Sequence, residues 1–194
     1  MRIIILIVSI IMMFIMMCLP LLANAKDFET NQFNLKVKGD HWGVEFREYS
    51  QSDRSHIQLE HYLDKWKFAY RYDENGDKVE HRPRIDYKLF SNDYFYITPR
   101  IEYRYYEGDR DDYGRLRSAF GLKFGNAYYE ITPMIHFAKE NSKNNFGFDE
   151  YQQKVGYKWK LDDKVRLDTF VQHEADNHFD KTNLFFGTTL EVSF

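Results

Sequence analysis

The 194-residue sequence is 29% charged and 43% hydrophobic with a formal net charge of −3, which points to one domain plus a processed segment. Its pI near 6.2 lacks the strongly basic balance of a nucleic-acid binder. Aromatic residues still reach 18% in a chain whose mean hydropathy is −0.64, so the fold must place many rings among polar neighbours.

Residues 1–25 carry Arg2, an apolar run from Ile3 to Leu22 interrupted by Pro20, and the small-x-small triplet Ala23, Asn24, Ala25. That is the pattern of a secretory signal cleaved after Ala25; the run is also about long enough for a permanent anchor. The one cysteine, Cys18, lies inside this segment, so the mature chain is expected to be held by packing or by a membrane rather than by disulfides.

In residues 26–41, Phe33, Leu35 and Val37 alternate with polar residues. An additional, eleventh strand here would leave the chain ends on opposite sides of a barrel wall, against the even count usual in bacterial barrels. The segment is therefore read as an N-terminal periplasmic extension or an arm in the lumen.

From Trp42 to the end of the sequence, residues 42–194, the apolar period is two, the signature of strands. One face carries, in turn, Trp42, Val44, Phe46; Ile57, Leu59, Leu63; Trp66, Phe68, Tyr70, Tyr72; Ile85, Tyr87, Leu89; and Phe95, Ile97, Pro99, Ile101, Tyr103, Tyr105. It continues with Leu116, Phe120, Leu122, Phe124; Tyr129, Ile131, Pro133, Ile135, Phe137; Tyr151, Val155, Tyr157, Trp159; Val165, Leu167, Thr169, Val171; and Leu184, Phe186, Thr188, Leu190, Val192, Phe194. This predicts ten strands, with twelve as the alternative count. Short links at 63–65, 90–93, 125–126 and 161–163 alternate with longer polar ones at 50–55, 73–81, 107–114, 139–147 and 174–181. Short on one side and long on the other is the plan of an all-β, transmembrane, antiparallel up-and-down barrel, with tight turns in the periplasm and longer loops outside.

The opposite faces carry charge. A soluble sandwich would turn these residues to water, whereas a membrane barrel turns them into its lumen. The basic candidates for the pore lining are Arg47, Lys67, Arg71, Arg84, Lys88, Arg100, Arg104, Arg115, Arg117, Lys123, Lys154, Lys158 and Arg166; the acids seen on the same faces are Glu45, Asp86, Glu102, Glu130, Asp168 and Glu191. Arg and Lys rings select anions, and guanidinium forks hold carboxylates at two points. Arg84, Arg100, Arg104, Arg115 and Arg117, on neighbouring strands, form the best candidate for a basic track. The competing expectation is a lumen filled by mutually neutralising charges, as in small barrels.

The final strand ends on Leu190, Val192 and Phe194. In a closed barrel it must pair with the first, so that no backbone group is left open, and its apolar C-terminus is similar to the signal that outer-membrane proteins present to the barrel-assembly machinery. For hydrolysis the histidines His56, His61, His81, His136, His173 and His178 are candidates, but no serine stands in a Gly-x-Ser-x-Gly turn. No enzyme, cofactor, metal or nucleic-acid partner is expected. A structural or adhesive barrel acting through its loops is the other alternative.

The stretch WGVEFREYSQSDRSHIQLEHYLDKWKFAYRY, together with YFYITPRIEYRYYEGD and the closing LEVSF, resembles the oligogalacturonate-specific porin family, the KdgM-like monomeric porins. The resemblance implies a monomer in the outer membrane of a Gram-negative bacterium, in contact with its lipid and lipopolysaccharide, with usually twelve strands. It also implies passive uptake of acidic oligosaccharides through a narrow basic channel.

Overall fold

The computed structural model describes residues 27–50, 53–108, 111–138, 146–176 and 182–194. The segment read as a signal lies outside the described residues. Strands follow in chain order as β1 Asp27–Lys38, β2 Trp42–Tyr49, β3 Arg54–Leu63, β4 Trp66–Asn75, β5 Lys78–Tyr87, β6 Phe90–Ser91, β7 Phe95–Tyr106, β8 Tyr113–Phe124, β9 Ala127–Phe137, β10 Phe146–Lys160, β11 Val165–Asp176 and β12 Thr182–Ser193. The two-residue β6 pairs with β7 alone. The other eleven close a ring, each bonded to the next, with β5 joined directly to β7 and β12 to β1.

This corrects the expected count of ten, and the alternative of twelve. The segment kept out of the wall is a stave of it: β1 pairs with β2 from Gln32 to Lys38 on one edge and with β12 on the other. Its alternation is that of a wall strand, with Phe33 and Leu35 exposed and Gln32 and Asn34 buried. Closure requires only that every edge be paired, and an odd ring meets that condition. The parity shows instead in the seam, where β1 and β12 run parallel, in register from Leu35 against Leu190 to Val37 against Val192. All other neighbours are antiparallel, and Asp27 and Phe194 stand at opposite rims.

One expected long link is also corrected. Residues 73–81 are not a loop: β4 runs to Asn75, β5 starts at Lys78, and Gly76 with a φ of 58° makes the turn, a left-handed conformation that glycine adopts without steric cost. The period-two pattern persists there in charged residues, which hides it from a hydrophobicity count. In the same way β10 begins at Phe146 and β11 extends to Asp176, so the links at 139–147 and 174–181 begin or end in strand; their centres lie outside the described residues.

The distribution of side chains is inverted relative to a water-soluble core. Large apolar residues are exposed on every stave, among them Phe33, Phe46, Leu59, Phe68, Ile85, Ile101, Leu122, Ile131, Trp159, Val171 and Phe186. The buried set is dominated by charge and amide, including Glu45, Gln58, Glu60, Arg71, Arg82, Arg84, Asp86, Glu102 and Arg115. Soluble monomers show contiguous apolar patches of only a few hundred Å², and large apolar residues exposed on every stave are the opposite of that pattern.

Candidate functional site

Because successive residues of a strand point to opposite faces, the same alternation that sends rings outward sends charges inward. They meet in a lumen cavity of about 350 Å³ lined from all eleven staves. Basic side chains dominate the lining, with Lys36, Arg47, Arg54, Lys67, Arg71, Arg82, Arg84, Arg100, Arg104, Arg117 and Lys154 against Glu45, Glu60, Glu130, Glu150 and Glu174.

Most of these cations are already held by carboxylates. Glu60 takes Lys36 at 2.7 Å and lies 3.5 Å from Arg84, while Asp86 takes Lys67 at 2.9 Å and pairs with Arg100. Nearer the other rim, Asp73 takes Arg82 at 3.2 Å and Glu80 takes Arg82 at 2.5 Å and Arg104 at 3.4 Å. Glu45 completes the pattern with Arg47 at 3.0 Å.

Glu102 organises the track named from sequence. It stands opposite Arg84 on β5 and Arg115 on β8, with Arg100 and Arg104 two residues away on its own strand. Its carboxylate lies 3.3 Å from Arg104, 3.6 Å from Arg117 and 4.0 Å from Arg115. One acid thus sits among all five arginines, and the track is a cluster keyed to that acid rather than a free positive ladder.

Around the cavity, nine basic side chains lie within 3.7 Å of a carboxylate oxygen. Arg71 and Lys154 form no such pair among the described residues. Arg71 donates from Nε to Gln58 Oε1 at 3.0 Å, and Lys154 Nζ lies 3.8 Å from the centroid of the Phe170 ring, a cation–π contact.

The wall from β7 to β12 is built differently from the arginine side. Tyr96, Tyr128 and Phe170 lie flat over Gly121, Gly156 and Gly187 of the following strands, so closely that any Cβ there would fall into the ring. Lysines cover their lumen faces: Lys123 lies over Tyr96 at 5.4 Å and Lys158 over Tyr128 at 5.0 Å. Hydroxyls fix the rings as well, since Tyr96 donates to Glu130 and Tyr128 donates to Asp168 at 2.9 Å.

No family model and no curated protein matches this chain. The site must therefore be judged on its own geometry. Of the basic residues named from sequence, Arg47, Lys67, Arg71, Arg84, Arg100, Arg104, Arg117 and Lys154 line the cavity. Arg115 is buried beside it, bonded to Asp149 and, at 3.1 Å, to Glu150. Lys88, Lys123, Lys158 and Arg166 are outside the lining. Lys36 lies in the expected extension, and Arg54, Glu80 and Glu174 lie in expected loops, so none of them is read as inward-facing from sequence; Arg82 and Glu150 fall just outside the expected strands, in polar stretches that an apolar count does not place on either face. Asp73 opens one of those assigned loops, and Glu60 lies on the inner face of a strand whose outer residues alone were noted. Pairing the period-two pattern through charged residues would have found them.

The histidines divide between the two faces. His56 is fully buried in the lumen, 3.4 Å from Glu45 and 3.5 Å from Asp73. His81 faces outward, with Nδ1 2.5 Å from the Tyr70 hydroxyl and Nε2 2.9 Å from Glu107. His136 lies 4.0 Å from Asp149. His178 lies outside the described residues.

Proposed function

We propose that the chain is a monomeric outer-membrane channel that passes small anionic saccharides through a basic lumen. The observation that carries this reading is the inverted barrel: an apolar exterior on every stave around a polar cavity in which basic side chains outnumber acids about two to one. A bilayer accepts the exterior and supplies no hydrogen bonds, which a closed ring of paired strands does not require. The excess of guanidinium and ammonium groups favours entry of anions over cations. The likeness of residues 42–72 and 94–109 to oligogalacturonate porins supports acidic sugars as the class of solute, and the terminal Leu190, Val192 and Phe194 support delivery by the barrel-assembly machinery.

The lattice of ion pairs favours a second reading, a barrel whose lumen stays shut while its outer loops act. The two readings separate in a swelling assay on liposomes carrying the refolded mature protein. Sodium galacturonate is expected to enter faster than galactose, a neutral sugar of similar size. Liposomes that swell in neither solute would favour the shut barrel.

A further inference from the structure

The outer wall carries an arrangement that a lumen channel does not use. On the outward face, His81 of β5 stands directly opposite Tyr72 of β4 on one side and Tyr105 of β7 on the other. The Tyr70 hydroxyl meets its Nδ1 at 2.5 Å, and Nε2 lies 2.9 Å from Glu107, just past the end of β7. One tautomer satisfies both contacts: Nε2 donates to the carboxylate, and Nδ1 accepts the phenol proton. A hydroxyl bonded to an imidazole that a carboxylate orients is the pattern of a nucleophile with its general base. The sequence has no serine in a nucleophile turn, and a phenol is an oxygen nucleophile that such a motif does not register.

The surroundings point to the substrate. Phe68, Ile85 and Ile101 form an exposed apolar row across the same three strands. Tyr70, itself 45% exposed, comes next toward the rim, and the Glu107 side chain is 58% exposed at the rim. An amphiphile whose chain lies along the apolar row brings its ester to the level of Tyr70 and His81. Tyr72 and Tyr105, with rings 5.6 and 5.8 Å from that of His81, carry phenol donors to the same face, where an oxyanion would need them. Ionisable groups on a lipid-facing wall are costly and mark functional sites.

We propose that Tyr70, His81 and Glu107 form an esterase site on the outer wall, acting on acyl esters of amphiphiles that lie against the barrel. Tyr70 Oη attacks the carbonyl carbon while its proton passes to His81 Nδ1. The bond from the carbonyl to the alkoxy oxygen then breaks, and the departing alcohol takes that proton. Water, giving a proton to Nδ1 in turn, cleaves the acyl-tyrosine to the free acid, and the proton returns to the phenol. Glu107 is the positioning residue that fixes the imidazole.

The substrate class rests on the lipid-facing reading of the outer wall; the relay can be read in detergent, without a bilayer or a current. Refolded mature protein would be incubated with 4-nitrophenyl decanoate, quenched in acid and mapped by peptide mass spectrometry. Nitrophenol release above the spontaneous rate is expected, with the acyl group on Tyr70. Tyr70→Phe and His81→Gln should each slow release at least about 100-fold, the lower end for loss of a general base. Glu107→Gln should lower kcat about tenfold and leave KM unchanged, whereas Tyr94→Phe, at an exposed tyrosine outside the relay, should match the wild type. No release above the spontaneous rate, acyl groups spread over the exposed tyrosines, or unchanged release by His81→Gln would overturn the site. Equal kcat/KM for 4-nitrophenyl acetate, which lacks the chain, would overturn the amphiphile as substrate. Labelled Tyr70 in a barrel that conducts nothing would keep the site and remove the channel; conduction with Tyr70 unlabelled would do the reverse.

Discussion

Replacement of Glu102 by alanine should lower the stability of the folded barrel by about 3 kcal/mol, the lower end of the range for stripping one partner from a buried charge cluster. The carboxylate is only 1% exposed and lies within 4.0 Å of Arg104, Arg115 and Arg117. Without it, Arg84, Arg100, Arg104 and Arg115 keep Glu60, Asp86, Glu80 and Glu150 as counter-charges, while Arg117 loses its one carboxylate partner among the described residues. The adjoining cavity tempers the cost by letting solvent reach Arg104 and Arg117, which line it. Urea unfolding followed by tryptophan fluorescence in lipid vesicles would measure the loss. Combining Glu102→Ala with Arg117→Met should recover part of the stability, because Glu102 is the carboxylate that Arg117 pairs with and the double change removes the stranded charge along with its partner. If Glu102→Ala unfolds at the wild-type midpoint, the arginine cluster is solvated and is not a buried lattice.

The second large effect belongs to the outer face. Leu59, in the middle of β3, is 55% exposed and points away from the lumen. In a bilayer, Leu59→Arg places a charge in the hydrocarbon and should cost about 2–4 kcal/mol, less if the residue sits nearer the interface. In water the same change at an exposed position should be close to neutral. Measuring the variant in vesicles and in detergent-free buffer therefore reads the environment of the outer wall directly. No penalty in vesicles would mean that the apolar belt does not face lipid.

The outward face was the most legible part of the sequence. From Trp42 onward, aromatic and aliphatic residues at every second position mark the strands, and their exposure in the structure follows that alternation except at Tyr151 and Leu184, which are buried. What was lost lay where the alternation is carried by charge, as at Asp73, Glu80 and Arg82, since an apolar count sees a loop there. Residues 26–41 were lost for another reason. Phe33, Leu35 and Val37 have the period of a strand, but the even count usual in bacterial barrels argues against one more stave; the parallel β1–β12 seam is how the chain accommodates the odd number.

The basic excess of the lumen could be seen in sequence, but its state of neutralisation could not. Pairing between Glu102 and arginines of β8, or between Asp86 and Lys67, depends on cross-strand register, and one residue of slip would exchange the inner and outer faces. Arg71 and Lys154 look like any other inward cation in a list. Only the three-dimensional arrangement shows that, among the described residues, carboxylates come within ion-pair distance of their neighbours and not of Arg71 or Lys154.

The central claim, an anion-passing lumen inside a membrane-spanning ring, is tested most directly by single-channel recording of the refolded mature protein in a planar bilayer under a salt gradient. Discrete conductance steps with a reversal potential on the anion-selective side are the predicted result. A correctly folded, inserted barrel that carries no current, or one whose reversal potential shows cation preference, would contradict it.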